Sequence, residues 1–105
     1  MKLLFIEDEE PFYKWVTEHL DGHQCKRAGT IEEAEDMLAD EKFDAVFIDL
    51  CIPGASMREN IARARAATRA PLIILTGMEM RADLASICDG FLYKGGLEPA
   101  RDIPA

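Results

Sequence analysis

A short apolar run that carries one aspartate to its end and then stops at Pro-Gly constrains this chain more than any other feature: Phe43-Asp44-Ala45-Val46-Phe47-Ile48-Asp49-Leu50-Cys51-Ile52-Pro53-Gly54. Such a run predicts a strand whose last side chain emerges where strands give way to loops, the edge at which α/β proteins keep their chemistry. Three further runs end in the same manner. Residues 3–6 run into Glu7-Asp8, residues 72–75 into Thr76, and residues 91–93 into Lys94. A weaker run at 24–28 is polar enough for a sheet edge.

Segments of helical spacing separate these runs. Pro11, among acids, suits the first turn of a helix that carries Phe12, Trp15, Val16 and Leu20 on one stripe and ends at Asp21-Gly22. Thr30 with Glu33 three residues on forms a capping box for a second helix, striped by Ile31, Ala34, Met37 and Leu38. A third helix is expected over about 57–68 with Met57, Ile61 and Ala64 on its apolar side, and a short fourth over about 79–87. The tail after Lys94 has two Gly and two Pro, which works against a full closing helix. Strands alternating with helices predict right-handed crossovers onto one parallel sheet, a doubly wound α/β fold with every strand C-terminus on one edge. Glu7, Asp8, Asp49, Thr76 and Lys94 then share that edge.

The 105 residues, 49% hydrophobic and 30% charged, predict one domain over 1–105 with no output domain. A formal net charge of -8 repels nucleic-acid phosphates, so no direct nucleic-acid binding is expected and a basic protein face is the natural partner. No run reaches membrane-spanning length and the first residues lack a signal-peptide apolar core, which predicts a cytoplasmic protein without membrane contact. Cys25, Cys51 and Cys88 are odd in number and widely spaced, without a C-x-x-C pair, and argue for neither a disulfide framework nor zinc.

Three carboxylates brought together repel one another unless a cation sits among them, and an all-oxygen set with open positions favours Mg²⁺. Phosphoryl oxygens could bridge to such a metal while a lysine ammonium and a threonine hydroxyl hold the rest, a set that suits transfer of a phosphoryl group to Asp49. Gly77, directly after Thr76, leaves a path to the aspartate open, or is an ordinary turn glycine. Taken singly, each residue has a plain reading. Glu7 and Asp8 could be helix-start charges, Asp49 a turn residue, Thr76 a cap and Lys94 a solvated strand end. The order of all of them at successive strand ends favours the joint reading.

In these motifs the chain resembles the receiver domain of two-component response regulators, over residues 1–95. Leu4-Phe5-Ile6-Glu7-Asp8-Glu9 is similar to the acidic first-strand motif, Phe47-Ile48-Asp49-Leu50-Cys51-Ile52-Pro53-Gly54 to the phosphoacceptor motif, Leu75-Thr76-Gly77 to the switch hydroxyl with its small neighbour, and Tyr93-Lys94 to the invariant lysine. The resemblance implies a flavodoxin-like sheet of order 2-1-3-4-5 and Mg²⁺ held by Glu7, Asp8, Asp49 and the backbone carbonyl of Cys51. It further implies that Asp49 takes its phosphoryl group from a histidine kinase or phosphotransfer protein, that Thr76 and the aromatic Phe91 switch with it, and that a downstream protein reads the result. Phe91 reads equally as core packing.

Three departures stand out. Gly95 follows the lysine where the family has proline, the stretch from Thr76 to Lys94 is short, and the chain after Lys94 leaves the fifth helix missing or truncated. A missing fifth helix would bare apolar side chains of the first, third and fourth strands, which predicts a homodimer or a dedicated partner across the helix-one face. The leading expectation is a phosphoacceptor signalling domain, not an enzyme. A receiver-fold interaction module working without phosphorylation is the second. An aspartate-nucleophile phosphatase ranks third, because that class resembles D-x-D and Cys51 stands at its second position.

Overall fold

A computed structural model describes residues 1–54, 56–77, 82–99 and 103 of the chain. Five strands, β1 (Lys2–Ile6), β2 (Gln24–Ala28), β3 (Ala45–Asp49), β4 (Leu72–Thr76) and β5 (Gly90–Tyr93), alternate with α1 (Glu10–Glu18), α2 (Ile31–Asp40) and α3 (Met57–Ala67). Every pairing is parallel and the sheet order is β2-β1-β3-β4-β5. This is the expected doubly wound arrangement. The register sets Ile6 opposite Ile48, Asp49 opposite Leu75 and Thr76 opposite Tyr93, so the functional ends of β1, β3, β4 and β5 lie side by side.

Alternate side chains of each central strand feed two cores, because a strand turns successive residues to opposite faces. Leu4, Ile6, Val46, Ile48, Leu72 and Ile74 meet Ile31 and Ala34 of α2 and Ile61 and Ala64 of α3. Leu3, Phe5, Phe47 and Leu75 meet Val16 of α1 and Leu20 just past it on the other side. There the Phe5 and Phe47 rings stack with centroids 4.8 Å apart, and Tyr13 meets Phe5 edge-on at 5.8 Å. Thr30 caps α2 by accepting from the Glu33 amide, and Ser56 does the same for α3 from Glu59. The capping box closes one residue early, since the Glu33 carboxylate accepts from Gly29 N–H at 3.4 Å.

The helical stripes hold with two corrections. α1 ends at Glu18, short of residue 20, because the His19 and Leu20 amides turn to Val16 and Thr17, three residues back, and Gly22 adopts φ +86°. Leu20 is nevertheless buried. The fourth helix expected over 79–87 is replaced across its described part by one 3-10 turn at Ala82–Leu84, while 79–81 lie outside the described residues. A helix continuing to Ile87 needs the Asp83 carbonyl for the Ile87 amide. Instead that amide bonds Leu84, and Arg58 Nη1 donates to the Asp83 carbonyl at 3.0 Å.

Beyond β5 the described tail opens with a 3-10 turn, Lys94–Gly96, closed by the Leu97 amide donating to Lys94 C=O at 3.4 Å, and Ile103 N–H donates to Pro99 C=O at 3.0 Å. Leu97 and Ile103 are nevertheless buried against the α1-side core. They supply part of the cover that the expected loss of a fifth helix removes, so the bared area is smaller than the sequence predicts. What remains is an apolar cleft of about 250 Å³ lined by Leu3, Ala45, Phe47, Ile73 and Leu92 among others. Met1, Ala45, Pro71 and Gly90 at its wall precede or begin their strands, which puts the cleft at the sheet edge opposite Asp49.

Candidate functional site

Each carboxylate at the site is placed by a different local device. Glu7 follows β1 directly, where its amide donates to Ala28 C=O at 2.9 Å and its carbonyl accepts from Arg27 Nη1 at 3.0 Å, which ties the end of β1 to that of β2. Its carboxylate turns inward and is fully buried; Oε1 accepts from the Glu9 amide at 3.1 Å. Asp8 stays exposed at the start of the α1 turn. Asp49 closes β3 at 6% exposure, and its Oδ1 accepts from the Cys51 amide at 3.0 Å. The Leu50 amide donates to Leu75 C=O at 3.0 Å, which holds the turn beyond Asp49 against the end of β4 where Thr76 is buried.

Lys94 joins the set from the far end of β5. Its ammonium lies 2.9 Å from Glu7 Oε2 and 2.9 Å from Asp49 Oδ2, with the side chain 20% exposed. Carboxylate oxygens of Glu7, Asp8 and Asp49 all lie within 4.8 Å of one another. One ammonium against three carboxylates leaves an excess of negative charge at the sheet edge. Burial, and Asp49 beside it, raise the Glu7 pKa from its ordinary value to about 7 against the opposing pull of Lys94. Burial alone would lower Lys94, but Glu7 and Asp49 outweigh it and hold the ammonium above its usual value. A raised carboxylate beside a charged lysine marks a site short of positive charge. The donor set fits a divalent cation: oxygen ligands only, close enough to share one ion, in a site whose burial disfavours the charged form of Glu7.

All five strand-end residues therefore fall at one edge, with Lys94 bridging two of the carboxylates. Thr76 ends the strand next to β3, and Phe91 sits half-buried on β5 opposite Ile74, packed on the α2/α3-side core. Among the described residues, a Cβ on Gly77 would meet nothing within 4 Å. Cys51 lies in the turn after Asp49, exposed, and Cys25, Cys51 and Cys88 are all free thiols. One partner escaped the sequence. The ring of Phe12, legible only as part of an apolar stripe, lies under the Lys94 ammonium with its centroid 4.3 Å away. The signal was its place in the first turn of α1, one helical turn after Asp8.

No family model matches the chain, and no curated protein matches it in sequence. Solved structures do. A CheY-like response regulator receiver domain from Methylobacillus flagellatus has a TM-score of 0.83 at 22% identity, over 95% of this chain and 90% of that one. The BeF3-activated N-terminal receiver domain of Klebsiella pneumoniae RstA has a TM-score of 0.80 at 21% identity, again over 95% and 90%. A response regulator from Burkholderia pseudomallei, whose structure holds a phosphorylated aspartic acid, a calcium ion and citrate, has a TM-score of 0.79 at 25% identity over 93% of this chain and 61% of that one. Among the described residues no helix is long and apolar enough to cross a membrane. The chain has the fold of a CheY-like response regulator receiver domain, with its acidic pair, aspartate, threonine and lysine at the edge where the strands end.

Proposed function

We propose that the chain is a phosphoacceptor receiver that takes a phosphoryl group on Asp49 from a phosphohistidine, of a histidine kinase or a phosphotransfer protein, and signals by binding another protein. The observation that carries this reading is the bridge of Lys94 between Asp49 and Glu7. It puts the ammonium against the oxygen set that a phosphoryl group would join. In the transfer an Asp49 carboxylate oxygen forms the new O–P bond as the P–N bond of the donor breaks, and the electron pair stays on the departing imidazole nitrogen, which takes a proton.

Glu7, Asp8, Asp49 and the Cys51 carbonyl would hold Mg²⁺, which when bound supplies charge neutralisation for the phosphoryl oxygens. Lys94 pairs with one of those oxygens, and the Thr76 hydroxyl takes another. Phe91 then shifts on the core beneath it, and the altered surface is what the target reads. A neighbour whose structure holds a phosphorylated aspartic acid and a calcium ion supports this chemistry for the fold. The reading includes a cytoplasmic receiver domain without catalytic turnover, and a second copy or a dedicated partner over the apolar cleft.

Incubation with Mg²⁺ and acetyl phosphate, followed by intact mass measurement, tests the proposal. One added phosphoryl group is expected, absent from Asp49→Asn. No addition at saturating donor would leave the receiver-fold interaction module as the better account, and sustained release of phosphate from simple esters would favour the phosphatase.

A further inference from the structure

Lys94 is held differently at its two ends. Its backbone opens a 3-10 turn through Gly95 and Gly96, and among the described residues a Cβ at either glycine would meet nothing within 4 Å. Neither packing among the described residues nor a positive φ demands glycine there, so two permissive residues leave this stretch of main chain with more freedom to lose on ordering. The tip is fixed instead, by Glu7 Oε2, Asp49 Oδ2 and the Phe12 ring. Phe12 is itself steadied from both sides. Pro11 precedes it in the first turn of α1, and its ring packs half-buried on the α1-side core and 6.1 Å from Trp15.

The geometry points to Phe12 as a positioning residue for Lys94, its ring holding the ammonium over the acceptor site while the charged partners change. The inference rests on the proposed phosphoryl transfer. During that reaction the Asp49 carboxylate becomes an acyl phosphate, and the ammonium must exchange a carboxylate oxygen for a phosphoryl oxygen. An aromatic face attracts a cation without taking a hydrogen-bond donor from it, so it retains the ammonium throughout the exchange. An aliphatic side chain of similar size fills the space and supplies none of that attraction.

Phe12→Leu and Phe12→Tyr separate the two roles. In the unmodified protein the ring should shift the Lys94 Cε protons upfield in the NMR spectrum; Phe12→Leu should abolish that shift and Phe12→Tyr should keep it. Phosphorylation of Asp49 by acetyl phosphate with Mg²⁺ should run roughly three- to tenfold slower in Phe12→Leu, the range that one partly desolvated cation–π contact sets, and Phe12→Tyr should restore it. An unshifted Lys94 in the unmodified protein, or equal rates in Phe12→Leu and the unmodified protein, would overturn the role of Phe12. Failure of the unmodified protein to be phosphorylated at all would instead sink the proposed function, and the chemical shift alone would then decide whether Phe12 holds Lys94.

Discussion

Glu7 is the residue at which the charge balance of the site can be read from outside. Its pKa rises from 4.5 in an ordinary setting to about 7 in the fold, chiefly through burial. The folded chain thus binds this proton more tightly than the unfolded chain. Its contribution to stability is full below the ordinary carboxylate range and is lost as pH rises through about 7. Denaturant titrations of the metal-free protein across that window should show stability falling with pH, and Glu7→Gln should flatten the fall. Mg²⁺ should bind more tightly as pH rises through the same window and release protons as it binds, measurable by calorimetry in buffers of different ionisation enthalpy. Asp49 and Lys94 were legible because each ends an apolar run. Phe12 was not, since a helical stripe shows which residues face inward and is silent on which of them lies under a cation at the strand ends.

At the scale of elements, Asp89 and Arg65 join three segments that sequence separates. Asp89 Oδ2 accepts from the Leu72 amide at 2.8 Å and from Arg65 Nη1 at 2.8 Å, while Arg65 Nη2 donates to the Thr68 and Ala70 carbonyls at 2.7 Å each. The Leu72 amide and Arg65 hold the Asp89 carboxyl below its usual range. That contribution is present above the ordinary aspartate value and is lost as pH falls through the depressed one. Asp89→Ala should cost about 1 kcal/mol at neutral pH, a modest figure because the pair is half-exposed, with the difference from the unmodified protein shrinking in acid. The strands and the first three helices were legible because their periodicities and caps agree with their packing. The fourth helix was misread because the competition that ends it is tertiary: Arg58 takes a carbonyl that a local pattern assigns to the helix.

For the molecule as a whole, the cover that the described residues after β5 give the α1-side core sets the balance between self-sufficiency and partnership. Leu97 and Ile103 close part of the α1-side core, and Ile103→Ala should therefore cost about 2 kcal/mol, within the range for truncating a buried isoleucine. The apolar cleft lies at the sheet edge opposite the acidic site, so a partner seated there leaves Asp49 open to its phosphodonor. Sedimentation at micromolar concentration should show a dimer if a second copy fills the cleft, and Ile73→Lys should dissolve it; an unmodified protein that stays monomeric and binds no apolar dye would remove the partner from the account. Extent of cover was the least legible property in the sequence, because Gly and Pro in the tail speak against a long helix without showing that two apolar side chains still reach the core. The central claim, that Asp49 is the acceptor and depends on its acidic neighbours, is tested most directly by mapping the modification after reaction with acetyl phosphate. The account predicts one hydroxylamine-sensitive phosphoryl group on Asp49, formed with Mg²⁺ and lost when Mg²⁺ is chelated or Asp8 is changed to Asn. A phosphoryl group on another residue, or one that forms equally well without a divalent cation, would contradict it.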